Sequence, residues 1–279
     1  MISHKIRHQF YKVCHPVAGE IWCLHRVLPI RSIFPSNREL EITPDFLESL
    51  IRKYIHNGYK FVDIDTISTH TSLLPQKQVN VSFDDGFADI YTYAFPIFQK
   101  YKIPFTIYLT SDLPEGKADL WWCQLEKIAN GNIDFFESTI KYIYSSDQPM
   151  SQRMHQLTLS EPDFTITQQL SLSWEEILEM VNSGLCTIGS HTISHPGLTR
   201  IPLEMAKMEI LDSKRIIESK LTGCDIQVKH FSYPHSMYNT DILDILRQSP
   251  YTTAVLGYGG CIRVRTNKFL LNRKYIVQD

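Results

Sequence analysis

Val79-Asn80-Val81-Ser82-Phe83-Asp84-Asp85-Gly86-Phe87 is a short apolar stretch that ends in two adjacent carboxylates and a glycine. Apolar side chains alternate along its first five residues, which predicts a buried β-strand. Asp84 and Asp85 would point to opposite faces of a regular strand, and a turn at Gly86 can bring both to the rim. There one carboxylate could hold a metal ion while the other moves a proton, although the motif alone is also typical of a polar turn.

Composition limits the classes of protein to which the chain can belong. It has 279 residues, 32.4 kDa and 43% hydrophobic residues, which is enough for a full core, and we expect residues 1–279 to form one domain. The 28 basic and 30 acidic residues give a net charge of −2. Because the chain has no excess of positive charge with which to bind a phosphate backbone, nucleic acid is not an expected partner.

The cysteines and the N-terminal segment indicate the compartment. Residues 1–14 mix basic side chains with histidines and have no apolar core, so no secretory signal is visible, and no run of 18 apolar residues exists. We therefore predict a cytoplasmic location, no transmembrane segment and free thiols, although an even cysteine count also permits disulfides in a secreted chain. The cysteines, none in a Cys-x-x-Cys pair, are Cys14, Cys23, Cys123, Cys186, Cys224 and Cys261.

Strand and helix patterns alternate about seven times along the chain. The predicted strands are 21–27, 61–64, 79–83, 105–109, 186–189, 230–233 and 252–256. The predicted helices are 43–58, 90–101 with a kink at Pro96 or a division into two short helices, 173–184, 202–222 and 241–248. Residues 120–170 have the looser pattern of an insertion. Such alternation favours parallel strands with right-handed crossovers, and chemistry at their C-terminal ends.

A histidine pair follows the strand at 186–189, in Gly189-Ser190-His191-Thr192-Ile193-Ser194-His195-Pro196. The spacing of four predicts a helical turn with both imidazoles on one face. Two imidazoles and one carboxylate leave a tetrahedral ion a position for water, as in a catalytic zinc site. A histidine pair in a loop is often incidental, but this pair and the aspartate pair both follow strands and should therefore meet in space.

These two motifs resemble those of a known family. Ser82-Phe83-Asp84-Asp85-Gly86 and His191-Thr192-Ile193-Ser194-His195 are similar to the [TS]FDDG and H[ST]xxH motifs of the polysaccharide deacetylases, the NodB-like carbohydrate esterase family 4. Leu24-His25-Arg26-Val27 resembles the family's first strand, Ile103-Pro104-Phe105-Thr106 a later strand, and Phe231-Ser232-Tyr233-Pro234 the third motif. The resemblance implies a distorted (β/α)7 barrel.

The resemblance also implies roles for individual residues. Asp84 would be the general base, and Asp85, His191 and His195 would hold one divalent metal ion. Zn²⁺ suits these ligands best, and Co²⁺, Ni²⁺ or iron are alternatives. The family stabilises the oxyanion with a backbone N–H just after the third-motif proline, which corresponds to His235.

The chain departs from the family pattern in two places. Ser232 stands near the position of an arginine that steadies the base, so Arg273, or else Arg263 or Arg265, is the candidate substitute. No histidine follows His235, whereas the fifth motif of the family usually offers one as general acid.

Other side chains are candidates for the missing acid and for substrate binding. His25 and His235 are the available imidazoles, and Asp84, once protonated, could return its proton. Tyr233, Pro234 and Trp122 are candidate substrate contacts, although Trp122 and its neighbour Trp121 could instead belong to a core within the insertion.

We therefore predict a metal-dependent hydrolase that removes acetyl from an N-acetylated amino sugar in a glycan or glycan precursor. The absence of a visible signal peptide favours a lipid-linked or nucleotide-linked sugar. The alternatives are an O-acetyl sugar esterase, which needs a weaker acid, a cyclic amide hydrolase, a catalytically inactive glycan-binding relative and a purely structural metal site.

Overall fold

Seven parallel strands close into a barrel at the centre of the structure, a computed structural model that describes residues 17–69, 77–223 and 226–279. The strands are β1 (Val17–Leu24), β2 (Arg26–Val27), β3 (Glu41–Ile42), β4 (Lys60–Phe61), β5 (Gln78–Asp85), β6 (Phe105–Leu109), β7 (Cys186–Ser190), β8 (His230–Ser232), β9 (Thr253–Gly259), β10 (Ile262–Arg263) and β11 (Leu271–Tyr275). The barrel order is β1-β5-β6-β7-β8-β9-β11, and β11 pairs with β1 to close it. The predicted (β/α)7 barrel is confirmed.

The strand register brings the ends of the barrel strands to one rim. Asp85 pairs with Leu109, Leu109 with Ser190, and Ser190 with Phe231, so the C-terminal ends of β5, β6, β7 and β8 lie side by side. Both faces of β5 and β6 are buried, although β5 alternates apolar with polar side chains. The loops that follow β5, β7 and β8 therefore meet above the barrel.

Helices cover the outside of the barrel. They are α1 (Pro35–Arg38), α2 (Pro44–His56), α3 (Ile64–Ser68), α4 (Phe95–Tyr101), α5 (Trp121–Ala129), α6 (Ile133–Tyr144), α7 (Met150–Thr158), α8 (Phe164–Leu170), α9 (Trp174–Asn182), α10 (Leu203–Lys220) and α11 (Thr240–Arg247). A π-helical turn, Ile90–Ala94, precedes α4, and Pro96 lies in the first turn of α4, where its missing N–H costs nothing. The predicted division into two short helical segments near Pro96 is confirmed.

Two of the predicted strands are wrong in detail. The strand predicted at 61–64 stops at Phe61, because Asp63 caps α3 by accepting the N–H of Thr66 at 2.6 Å. The strand predicted at 21–27 is interrupted at His25, and β2 then pairs with β3 outside the barrel.

The insertion predicted at 120–170 consists of α5 to α8 and has an apolar cluster of its own. Trp121, Leu125 and Phe136 lie in this cluster, which Phe34 and Phe87 from outside the insertion complete. A larger cluster joins the barrel to the surrounding helices. One domain over residues 1–279 remains a prediction.

The cysteines and the lengths of the helices bear on the compartment predicted for the protein. Cys23, Cys123, Cys186 and Cys261 are free thiols, whereas Cys14, Cys224 and the N-terminal residues 1–14 lie outside the described residues. Within the described ranges, none of the helices combines the length and the apolar character that a membrane crossing requires. The cytoplasmic location remains a prediction.

Candidate active site

The aspartate pair lies at the C-terminal end of β5. Asp85 and Gly86 have φ angles of 70° and 110°, so the chain turns sharply at this point and brings both carboxylates to the rim. A Cβ atom on Gly86 would lie 2.4 Å from Cδ1 of Leu109, so this position requires glycine. Asp84 and Asp85 are 4% and 3% exposed, and burial of two charges demands specific partners.

His191 and His195 lie in an irregular loop after β7, so the predicted helical turn is wrong. Thr192 and His195 have positive φ angles of 71° and 64°, which no helix permits. The carboxylate of Glu209, from α10, holds this loop by accepting two of its backbone N–H groups at 2.8 and 3.0 Å. Both imidazoles nevertheless reach the end of β5.

Asp85, His191 and His195 form a donor set for a metal ion. Their ligand atoms lie within 4.8 Å of one another, with Nε2 of His195 and Nε2 of His191 at 3.3 and 3.7 Å from Oδ1 of Asp85. Nδ1 of His191 contacts the carbonyl oxygen of Ser232 at 2.8 Å, which makes Nδ1 the N–H donor and leaves a lone pair on Nε2. Oδ1 of Asp85 is buried without a hydrogen bond from any described residue, so the set fits a divalent cation.

The protonation of these residues is consistent with metal binding. Burial lowers the pKa of His191, partly opposed by Asp84, and burial followed by the neighbouring His235 lowers the pKa of His195 well below its usual value. Both imidazoles are therefore neutral near pH 7. Burial, and then the charge of Asp84, raise the pKa of Asp85 to about 8. A cation at this point would favour the ionised carboxylate instead.

Arg273 of β11 lies directly against Asp84 across the barrel. Its side chain is 1% exposed, and all five of its N–H donors have acceptors. Nε donates to Leu256 O at 2.8 Å. Nη1 donates to Ser82 Oγ at 3.1 Å and to Asp84 Oδ1 at 2.8 Å. Nη2 donates to Asp84 Oδ2 at 2.5 Å and to Ser232 Oγ at 3.0 Å. Arg273 was predicted to replace the arginine of the family's third motif, and Ser232, which stands near the position of that arginine, contacts Arg273.

Asp84 is ionised in this environment. Burial alone would raise its pKa, but Arg273 and then His191 lower the pKa below the usual value. His25, just after β1, has its Nε2 at 4.0 Å from Oδ2 of Asp84. Burial lowers the pKa of His25 to about 4, partly opposed by Asp84. An ionised carboxylate and a neutral imidazole therefore lie next to the metal donor set.

His235 lies in the short turn Pro234–Ser236 after β8 and has a φ angle of 54°. Its ring centroid is 4.6 Å from that of His195, and its Nδ1 contacts the hydroxyl of Tyr144 at 3.1 Å. Burial, and then His191, lower the pKa of His235 to about 3. The backbone of His235 therefore lies at the rim beside the metal donors.

A cavity of about 530 Å³ opens above these residues. Among the predicted site residues, those that line it are His25, Asp84, Asp85, Trp122, His191, His195, Tyr233 and His235. Arg273 lies behind Asp84, and Pro234 is buried away from the cavity. The hydroxyl of Tyr233 donates to Phe269 O at 2.9 Å, so only its ring is available to a ligand.

The family model for polysaccharide deacetylases matches residues 72–254, which is more than half of the chain and includes both motifs. The chain belongs to the polysaccharide deacetylase family. This family comprises metal-dependent hydrolases of carbohydrate esterase family 4. Its members act as deacetylases, and the Asp85, His191 and His195 cluster is a possible metal site in this member.

Several known proteins are similar to this family member. A Bacillus subtilis (strain 168) protein described as a candidate polysaccharide deacetylase, YxkH, is 23% identical over 225 residues, which are 79% of this chain and 61% of that protein. Streptococcus pyogenes deacetylase PplD in complex with acetate has a TM-score of 0.67 at 20% identity, with 92% of each chain covered. IcaB from Ammonifex degensii has a TM-score of 0.64 at 21% identity, over 94% of this chain and 92% of that one. These structures show the shared fold.

Tyr144, Tyr258 and Glu209 are among the residues at the deacetylase site that escaped the sequence analysis. Tyr144 and Tyr258 line the cavity, and Glu209 holds the histidine loop. Each reaches the site from a distant segment and belongs to no motif. The only available signal was the position of Tyr144 at the end of a helix in the insertion.

Proposed function

We propose that this chain removes an acetyl group from an N-acetylated amino sugar, with one divalent metal ion held by Asp85, His191 and His195. The observation that carries the proposal is the convergence of these donors on an ionised Asp84 inside a cavity. Family membership supports deacetylation. One structural neighbour is a de-N-acetylase from Aggregatibacter actinomycetemcomitans, with a TM-score of 0.64 at 18% identity over 93% of this chain and 95% of that one.

The donor set suits Zn²⁺ best, and Co²⁺ or Ni²⁺ would also be accepted. When bound, such an ion supplies Lewis acidity, which polarises the acetyl carbonyl and makes water more acidic. The residues around it then decide where the protons go.

Asp84 is the proposed general base. Arg273 fixes both carboxylate oxygens, so the carboxylate cannot rotate away from the metal donors. A carboxylate with a lowered pKa is a weak base, so Asp84 can act as general base only on a water molecule whose own pKa is lowered. Because the pKa of His25 is higher than that of Asp84, a proton taken by Asp84 can pass to His25 through one water molecule that bridges the 4.0 Å gap between Oδ2 and Nε2.

His25 is the proposed general acid. As an imidazolium it can protonate the leaving nitrogen, which is a poor leaving group until it carries a proton. The proton balance is complete, because water gives the proton to Asp84, Asp84 to His25, and His25 to the amine. The backbone N–H of His235 is proposed to stabilise the developing oxyanion.

The cavity lining favours a neutral glycan over a nucleotide-linked sugar. Among the described residues, no lysine or arginine lines the cavity, and the buried Arg273 has all its donors engaged. A diphosphate would need such cations. Aromatic rings of Trp122, Tyr144 and Tyr258 instead offer surfaces on which a sugar could stack.

An O-acetyl esterase is the second candidate, because ester cleavage does not need the acid proposed for His25. A test is to measure metal content and acetate release together, on the purified protein loaded with Zn²⁺, using N-acetylated chito-oligosaccharides and acetylated xylo-oligosaccharides. Asp85→Asn should lose metal and both activities, and the exposed Asp244→Asn should keep them. Release from the xylo-oligosaccharides alone would favour the esterase, and no metal bound by the wild-type protein would overturn the proposal.

A further inference from the structure

The two histidines of the proposed metal site are held in different ways. Nδ1 of His191 donates to Ser232 O at 2.8 Å, the usual device that orients a metal-binding imidazole. Nδ1 of His195 is buried, and no described residue forms a hydrogen bond with it. Something else must therefore orient the ring of His195.

Aromatic rings surround His195 in place of a hydrogen-bond partner. The ring of Trp122, from α5 of the insertion, has its centroid 5.2 Å from that of His195 at an interplanar angle of 54°. The ring of His235 lies 4.6 Å away at 64°, an edge-to-face arrangement. These rings hold the imidazole by packing.

His235 is itself held by the insertion. The hydroxyl of Tyr144, the last residue of α6, contacts Nδ1 of His235 at 3.1 Å. The phenol hydroxyl either donates to Nδ1 or accepts from Nδ1–H, according to the tautomer of His235. In either case the contact with Tyr144 fixes the orientation of the His235 ring.

The end of α6 is fixed relative to the histidine loop. Arg200, five residues after His195, donates from Nη2 to Tyr144 O at 2.8 Å and from Nη1 to Ile143 O at 3.3 Å. The hydroxyl of Tyr144 is therefore presented to His235 by a backbone that is tied to the same loop.

We propose that Trp122 and Tyr144 are positioning residues for the metal ligand His195, with Tyr144 acting through His235. Packing by the insertion replaces the hydrogen bond that Nδ1 of His195 lacks. This inference rests on the proposed metal site. It makes the insertion a determinant of metal affinity as well as a lining of the cavity.

Zn²⁺ affinity, measured by competition with a chelator, tests the inference. Tyr144→Phe keeps the ring and removes the hydroxyl, and we expect it to weaken Zn²⁺ binding roughly tenfold, as loss of an outer-shell partner does. Trp122→Leu should weaken it at least as much. Tyr142→Phe is the matched control in the same helix, because Tyr142 is 49% exposed and packs on Arg153. The Zn²⁺ affinity of this variant should equal that of the wild type.

Two further measurements separate positioning from general damage. In a His235→Ala background, Tyr144→Phe should have no additional effect on Zn²⁺ affinity. NMR of the metal-free protein labelled with ¹⁵N-histidine should show a single tautomer of His235, and Tyr144→Phe should produce a mixture. A tautomer unchanged by Tyr144→Phe would overturn the role of Tyr144.

The inference and the proposed function can fail separately. Equal Zn²⁺ affinity in the wild type, Tyr144→Phe and Trp122→Leu would overturn the inference even if acetate release were observed. Tight Zn²⁺ binding that weakens in these variants, without acetate release from any substrate, would support the inference and overturn the hydrolase. If Trp122→Leu does not fold, Tyr144→Phe alone decides.

Discussion

Arg273 and Asp84 form a buried two-pronged ion pair, with Nη1 at 2.8 Å from Oδ1 and Nη2 at 2.5 Å from Oδ2. The two side chains come from β11 and β5, which do not pair with each other in the barrel. The remaining donors of Arg273 bind Ser82, Ser232 and Leu256, so the guanidinium joins four strands at one point. Lysine has only three donors and could not replace it.

Removal of this arginine should therefore destabilise the barrel. Arg273→Met leaves Asp84 buried without its counter-charge, and we expect a loss of about 3–5 kcal/mol in the free energy of unfolding. Urea denaturation of the metal-free protein measures it. The control is Arg265→Met at an exposed position, where the change should stay within about 0.5 kcal/mol. A similar small change for Arg273→Met would show that the pair is not needed for stability.

Replacement of His25 should distinguish amide from ester cleavage. His25→Gln removes the proposed acid, and we expect acetate release from an N-acetyl sugar to fall by roughly 10²–10⁴-fold. Release from an activated ester such as p-nitrophenyl acetate should fall far less, because its leaving group needs no proton. Both rates are measured on the same metal-loaded sample. An equal loss on the two substrates would argue against His25 as the acid.

The stability of the metal-free protein should depend on pH with a maximum near the usual histidine pKa. Burial lowers the pKa of His25, His191, His195 and His235 from 6.5, so below this value the unfolded chain binds more protons and stability falls with falling pH. The pKa of Asp85 is raised from 3.8 to about 8, so the native state binds the extra proton in that range. Asp85 therefore makes stability fall as pH rises.

Between 6.5 and about 8 only Asp85 of these five groups acts, whereas below 6.5 the four histidines outweigh it. Urea midpoints at about pH 5, 6.5 and 8 test this balance. Asp85→Asn should remove the loss of stability above 6.5, and Zn²⁺ should do the same in the wild type by taking the place of the proton. A midpoint that rises from about pH 6.5 to 8 in the metal-free wild type would contradict the shift assigned to Asp85.

The sequence predicted those parts of the fold that depend on neighbouring residues. The alternation before Asp84, the helix predicted from residue 173, which begins with a capping box of Ser173 and Glu176, and the division of the helix at Pro96 all match the structure, because backbone geometry and capping are decided within a few residues. The predicted strand 61–64 is wrong, because the cap formed by Asp63 ends it.

The metal donors and the base were predictable because their residues closely follow barrel strands or end them. Asp84 and Arg273 are 189 positions apart, and Tyr144 and His235 are 91 apart, so neither contact leaves a local pattern. The spacing of His191 and His195 fits a helix, yet Glu209 binds the loop backbone and stabilises another conformation. Long-range packing decides such features, and a single sequence does not record it.

Substitution of Gly86 should show how closely the turn after Asp85 controls the site. Gly86→Ala places a Cβ 2.4 Å from Leu109 Cδ1 at a φ of 110°, whereas Gly131→Ala has a φ of 85° and open space. We expect about 1–2 kcal/mol of destabilisation at Gly131 from conformation alone, and about 1–3 kcal/mol more at Gly86 from overpacking. Because relaxation of the strained φ of 110° shifts the turn that carries Asp85, Zn²⁺ affinity should fall in Gly86→Ala and stay unchanged in Gly131→Ala, as measured by chelator competition. Equal Zn²⁺ affinity in the two variants would mean that the turn tolerates displacement without loss of the metal donor.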